Sequence, residues 1–208
     1  MAVLLIRPLI LAAALAVAAG PIAAQPAGAP PQPPSATAPA ATSAAPPTHA
    51  EKLDTLFTAL KRQRDADKAR EIADAIRTEW QVSGSASIDL LMQWAAKAIA
   101  ANKQPSALDL YDQVIALDPD YVEGWNQRAT LNFQMGNYRK SMSDINHVLA
   151  LEPRHFGALA GMAAILSASG KDELALKAWE RFLAVYPAER KAQEQLGEIE
   201  EKLAGNRT

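Results

Sequence analysis

The sequence predicts an all-α solenoid in which helix-turn-helix repeats stack side by side. Three observations predict it. Pro119, Pro153 and Pro187 stand 34 residues apart. Each closes a similar apolar run: Val114-Ile-Ala-Leu-Asp-Pro119, Val148-Leu-Ala-Leu-Glu-Pro153 and Phe182-Leu-Ala-Val-Tyr-Pro187. Asn102, Gly136 and Gly170, residue types that tolerate a left-handed helix exit, recur at the same interval. A fixed period of that length is the mark of a stacked repeat array, because one helix pair cannot bury its apolar face alone.

Taken in chain order, residues 1–24 read as a secretory signal peptide. Arg7 precedes an apolar run over residues 9–19, and small residues follow to Ala23-Ala24. Cleavage after Ala24 would leave Gln25 first. An uncleaved anchor is the alternative, but the run is shorter than the ~20 apolar residues of a spanning helix, and Pro21 interrupts it. The expected location is the periplasm. Residues 25–49 are nearly all Ala, Pro, Ser, Thr and Gly, with no anchor for a core, and read as a disordered spacer. His49 falls in that spacer.

Residues 50–204 form the expected folded domain. Residues 50–87 make a divergent first repeat. Leu53, Leu56, Phe57 and Leu60 mark its first helix, and Ala69, Ala73 and Ile76 mark a long second helix reaching about Val82. Trp80 is expected to cover the inserted Gly84-Ser-Ala-Ser87. Residues 88–121, 122–155 and 156–189 are three repeats in register. Residues 190–204 carry Gln193, Gln195, Glu198, Glu200 and Glu201, the polar face a terminal cap needs.

In the repeat at 122–155, Trp125 opens the first helix. Gly136-Asn137 makes the turn, Tyr138 starts the second helix, and Pro153 ends the unit. The next repeat sets Leu159, Met162, Ala163, Leu166, Ala175, Trp179 and Pro187 in matching slots. The preceding one sets Leu91, Trp94, Ala95, Ala98, Ala107, Tyr111 and Pro119. This resembles the tetratricopeptide repeat. The stretches Gly-Trp-Asn-Gln-Arg-Ala-Thr at 124–130 and Glu-Pro-Arg-His-Phe-Gly-Ala-Leu at 152–159 look like those of small exported members from Gram-negative bacteria. The resemblance implies a right-handed superhelix whose concave groove is lined by the first helix of each pair, and a role in binding peptides or assembling complexes.

By that geometry the groove is expected to be lined by Asp89, Met92, Ala96 and Ile99, then Glu123, Asn126, Thr130, Phe133 and Gln134, then Gly157, Ala160, Ala164 and Ser167. Met92, Ile99 and Phe133 are its expected open apolar anchors, suited to an extended peptide or helix. The alternative is a groove left empty or filled by the chain's own last helix. The family's carboxylate clamp uses Lys and Arg with a pair of Asn, and here only Asn126 is of the right type. The second helices carry Asp109, Asp112, Arg139, Lys140, Lys177 and Arg181, expected to be an ordinary solvated surface.

Composition excludes much else. Net charge is −2 and no basic stripe exists, so nucleic acid is not an expected partner. No Lys/Arg-rich amphipathic helix points to a lipid surface. The chain has no cysteine, which removes disulfides and thiolate chemistry. His147 and His155 lack a third ligand at metal spacing and are expected on the surface or in a loop. Ser141 and Ser143 have no activating histidine and acid. Neither catalysis nor a cofactor is expected. The four tryptophans, Trp80, Trp94, Trp125 and Trp179, are expected in the core. Arg128 occupies an inward slot, and an internal ion pair with Asp144 is expected to hold it there, in preference to an anion site. The expected function is a non-catalytic peptide-binding or protein-binding adaptor of the envelope, with a self-associating scaffold as the alternative.

Overall fold

The computed structural model describes residues 46–205. The signal peptide and most of the spacer expected from the sequence lie outside them. Among the described residues there are nine helices and no strand. They are α1 (His49–Arg62), α2 (Ala66–Trp80), α3 (Ala86–Ala100), α4 (Gln104–Leu117), α5 (Val122–Gln134), α6 (Tyr138–Leu151), α7 (Phe156–Ala168), α8 (Asp172–Val185) and α9 (Arg190–Gly205). No described helix is long and apolar enough to cross a membrane.

Local chemistry sets the helix ends. Thr48 caps α1 through a capping box with Glu51, which accepts hydrogen bonds from the Thr48 N–H (2.7 Å) and hydroxyl (2.9 Å). His49 is therefore the first helical residue, not spacer, and its Nδ1 lies 2.8 Å from Glu79 at the end of α2. Asp65 caps α2 by accepting from the N–H groups of Asp67 and Lys68. The turns within repeats close alike. Asn102, Gly136 and Gly170 have φ of 55°, 74° and 68°. The residue after each donates its N–H back across the last helical turn, to Ala98, Asn132 and Leu166 respectively.

Helix pairs α3–α4, α5–α6 and α7–α8 stack in order, and α9 packs on α8 as the end of the array. Buried Ala95, Ala129 and Ala163 let the paired helices close. Gly124 does the same between repeats, since a Cβ there would stand 2.8 Å from Val114 Cγ1. The last helix thus ends the stack on α8. Lys202 of α9 meets Asp172 at 2.8 Å.

The first helix pair departs from expectation. It does not continue the stack in front of α3. None of its residues joins the apolar clusters of α3 and α4. Leu53, Phe57, Leu60, Ala69, Ala73, Ile76 and Trp80 instead share one core with Phe156, Leu159, Phe182, Tyr186, Ala188 and Ala192 of α7–α9. The hairpin runs along the edge where each repeat passes to the next. At the first junction the Tyr121 hydroxyl donates to the Gln81 carbonyl (3.2 Å). At the second, Arg154 donates to Glu152 and to Asp54 of α1 (2.7 Å) and lies 4.2 Å over the Phe57 ring. At the third, the hairpin meets Tyr186 and Ala188.

Two tryptophan assignments change with it. Trp80 does not cover the inserted loop. It is buried and stacks on His155 at 3.9 Å between ring centroids, with Phe156 and Phe57 beside it. Trp94 is 47% exposed, not core. Its slot would face the second helix of a preceding repeat, and α2 packs elsewhere. Trp125 and Trp179 are half-buried.

Candidate functional site

The expected concave row does not form one open apolar groove. Phe133 is half-buried against the Ala129, Ile145 and Val148 cluster, with its ring 5.5 Å from Tyr138. Ile99 is half-buried against Ala95, Ala107, Tyr111 and Leu131. Neither is a free anchor, because each packs onto the core that its helix shares with its neighbours. Glu123 is 6% exposed and serves as a buried hub. Its carboxylate accepts from Asn126 Nδ2 (3.1 and 3.2 Å) and Gln127 Nε2 (2.5 Å). Ala160 packs against the hairpin core, and Ala164 and Ser167 are half-buried. Ala96, Thr130, Gln134 and Gly157 are exposed.

What stays open on this side is a cavity of about 420 Å3 where α3, α5 and the end of α2 converge. Asp89, Met92, Ala96 and Glu123 line it, as do Gln81, Gln93, Gln127, Tyr111 and Tyr121, which the sequence reading missed. Gln93 and Gln127 lie beside expected slots and were within reach of that reading. Gln81 was not, since only the hairpin's placement brings it there. Asp89 accepts from the Ser83 hydroxyl at 2.5 Å. Burial, and then the Glu123 carboxylate, pushes the Tyr111 and Tyr121 phenols up, so both stay neutral. The cavity therefore presents amides, two carboxylates, two neutral phenols and one methionine, and no cation.

His155 is neither surface nor idle loop. It is 2% exposed, and its Nδ1 accepts the Ala158 N–H (3.1 Å), capping α7. Its Nε2 faces Glu123 Oε2 at 3.5 Å and has no hydrogen-bond partner. His147 is exposed and stacks on Trp125 at 4.2 Å. Ser141 is buried and donates to the Ala129 carbonyl (2.8 Å). Among the described residues no group of three or more His, Asp and Glu could hold a metal.

Arg128 and Asp144 meet. Arg128 Nε donates to Asp144 Oδ2 (3.0 Å) and Nη2 to Oδ1 (2.7 Å). The bond to Asp144, more than any other contact, holds the Arg128 pKa above its usual value. Its Nη1 donates to Asp112 Oδ1 (2.6 Å), and its guanidinium lies 4.9 Å over the Trp125 ring. Asp112 is therefore not ordinary solvated surface. It links α4 through Arg128 of α5 to Asp144 of α6.

The chain is 69% identical over 158 residues to a TPR repeat-containing protein of Rhizobium etli, covering 76% of this chain and 78% of that one. It belongs to the tetratricopeptide-repeat family. No protein-family model matches it. Among solved structures it is similar to the first tetratricopeptide domain of Spaghetti (RPAP3) bound to the HSP90 peptide SRMEEVD. That match has a TM-score of 0.53 and 27% identity over 56% of this chain and 93% of the other. The Sgt2 tetratricopeptide domain from Aspergillus fumigatus shares the fold, with a TM-score of 0.54 and 19% identity over 60% of this chain and 84% of that one.

Proposed function

We propose that this protein is a non-catalytic peptide-binding adaptor of the bacterial envelope, exported to the periplasm by its first 24 residues. The observation that carries the binding reading is the cavity between α3, α5 and the end of α2, open on the side of the first helices. A structural relative holding an HSP90 peptide supports it. The ligand chemistry differs, however. The peptide in that relative is acidic, whereas this cavity offers Asp89, Glu123 and three glutamines without a Lys or Arg. A basic or neutral extended segment fits here, its backbone hydrogen-bonded by the glutamines and an apolar side chain against Met92.

Two measurements test the reading. Met92→Arg and Ala96→Arg place a long cation in the cavity. Each is expected to cut capture of envelope proteins at least tenfold. Ala96→Arg should leave the melting temperature unchanged, since Ala96 is exposed, whereas Met92, half-buried against the α3–α4 core, should lower it when replaced by Arg. Undiminished capture by both variants would overturn the site. Location is read by fractionation, with the mature chain expected to begin at Gln25 by intact mass. A cytoplasmic chain retaining Met1 would overturn export.

A further inference from the structure

A cleft of about 1020 Å3, larger than the concave cavity, lies on the other side of the stack, between second helices α6 and α8 with α7 as its floor. The same crevice one repeat earlier, between α4 and α6, is much smaller, about 320 Å3. The two are built from matching slots. In the earlier crevice Arg128 reaches Asp144 on one wall and Asp112 on the other, and so ties the walls together. Thirty-four residues on, those three slots hold Met162, Ala178 and Asn146. Asn132 and Lys140 are likewise replaced by Leu166 and Leu174. The ionic tie is gone and nothing of equal size fills its place, so the crevice stands open and apolar.

Its rim has one sign. Arg139, Lys171, Lys177 and Arg181 line the cleft, and no carboxylate does. None of the four forms an ion pair among the described residues, whereas Asp172 at the start of α8 already faces Lys202 of α9. Above the floor, Leu174 is 48% exposed and Tyr138 is similarly open. An apolar trough between unpaired cations has a definite complement: apolar side chains in the trough and carboxylates on either flank.

We propose that the α6–α8 cleft is a second binding site, taking an acidic peptide segment of a partner protein that carries apolar side chains. The apolar floor favours such a peptide over nucleic acid, whose phosphates would meet the cations but leave the trough unfilled. This site is independent of the concave cavity, which has the opposite charge and would take a different ligand.

The probe is a displayed library of random dodecapeptides, selected on the purified protein. Enriched sequences are expected to combine Asp or Glu with Leu, Phe or Met. A synthetic peptide of the commonest sequence should weaken at least tenfold toward Met162→Arg/Ala178→Asp/Asn146→Asp, which transplants the neighbouring tie into the cleft. Lys177→Glu/Arg181→Glu changes only exposed residues, so it guards against a folding defect in the triple variant, and it should weaken the peptide as much. Ala96→Arg should leave this binding intact. Enrichment of neutral or basic sequences, or binding by the triple and double variants as tight as that of the parent protein, would overturn the proposal. So would tight binding of single-stranded oligonucleotide or phosphatidylglycerol vesicles that the double variant abolishes.

Discussion

Replacing Trp80 with alanine is expected to lower the unfolding free energy by about 3–5 kcal/mol, the usual range for deleting a buried tryptophan. The ring is 5% exposed and sits where three parts of the chain meet: Phe57 of α1, the end of α2, and His155-Phe156 at the start of α7. Its loss opens a cavity and also removes the stack that seats the α7 cap residue. The hairpin should then loosen from the stack edge before the repeats melt. Hydrogen exchange should show α1 and α2 deprotected together while α5 and α6 hold. Trp80→Phe should cost clearly less, because the indole N–H has no hydrogen-bond partner to lose. Trp94→Ala is the control: at an exposed position it should stay within about 0.5 kcal/mol of the parent. Equal costs for Trp80→Ala and Trp94→Ala would mean that the hairpin packs on α3 after all.

The repeats were legible because their punctuation is local. A proline after a second helix and a glycine or asparagine after a first one act through φ restrictions and missing donors, which need no knowledge of distant partners. The hairpin's destination was not legible. Leu53, Phe57, Leu60, Ala73 and Ile76 mark an apolar face on each helix, but a face of that kind fits an α3 neighbour as well as the α7–α9 edge. The choice is made by residues scattered over the chain, Trp80 with His155 and Asp54 with Arg154, none of which signals its partner in sequence. The site suffered in the same way. Phe133 and Ile99 fall in slots that repeat geometry points outward, yet both pack against cores shared with neighbouring helices. The outer cleft did leave a trace. Arg128, Asp144 and Asp112 against Met162, Ala178 and Asn146 is a shift of 34 residues in which charge disappears from three slots together. Read singly, each substitution is bland, and only as a set do they describe a missing tie.

That tie also sets the second large effect. Arg128→Leu is expected to destabilise the protein by about 3 kcal/mol. Most of the loss comes from what the arginine leaves behind. The Asp144 side chain is 5% exposed, and its two oxygens receive Arg128 Nε and Nη2. Without them the carboxylate keeps only a long contact with Asn132 Nδ2 (3.4 Å), and a buried charge so poorly partnered is costly. Asp112 contributes little by comparison. Its side chain is 59% exposed, so water replaces the lost bond, and Asp112→Ala should cost at most ~1 kcal/mol. Arg128→Leu with Asp144→Leu should recover much of the single-variant loss, because no buried charge remains. The next repeat suggests an even better pair. Arg128→Met with Asp144→Ala copies the Met162 and Ala178 slots, which this fold already accommodates. A remainder of about 0.5–1 kcal/mol should persist in both doubles, from the lost placement of the guanidinium over Trp125. Chemical denaturation of the four variants gives these values directly. Should Arg128→Leu prove harmless and the doubles worse than it, the stability at this crevice would come from the apolar contacts of Trp125 and Leu108, and the ion pair would be incidental.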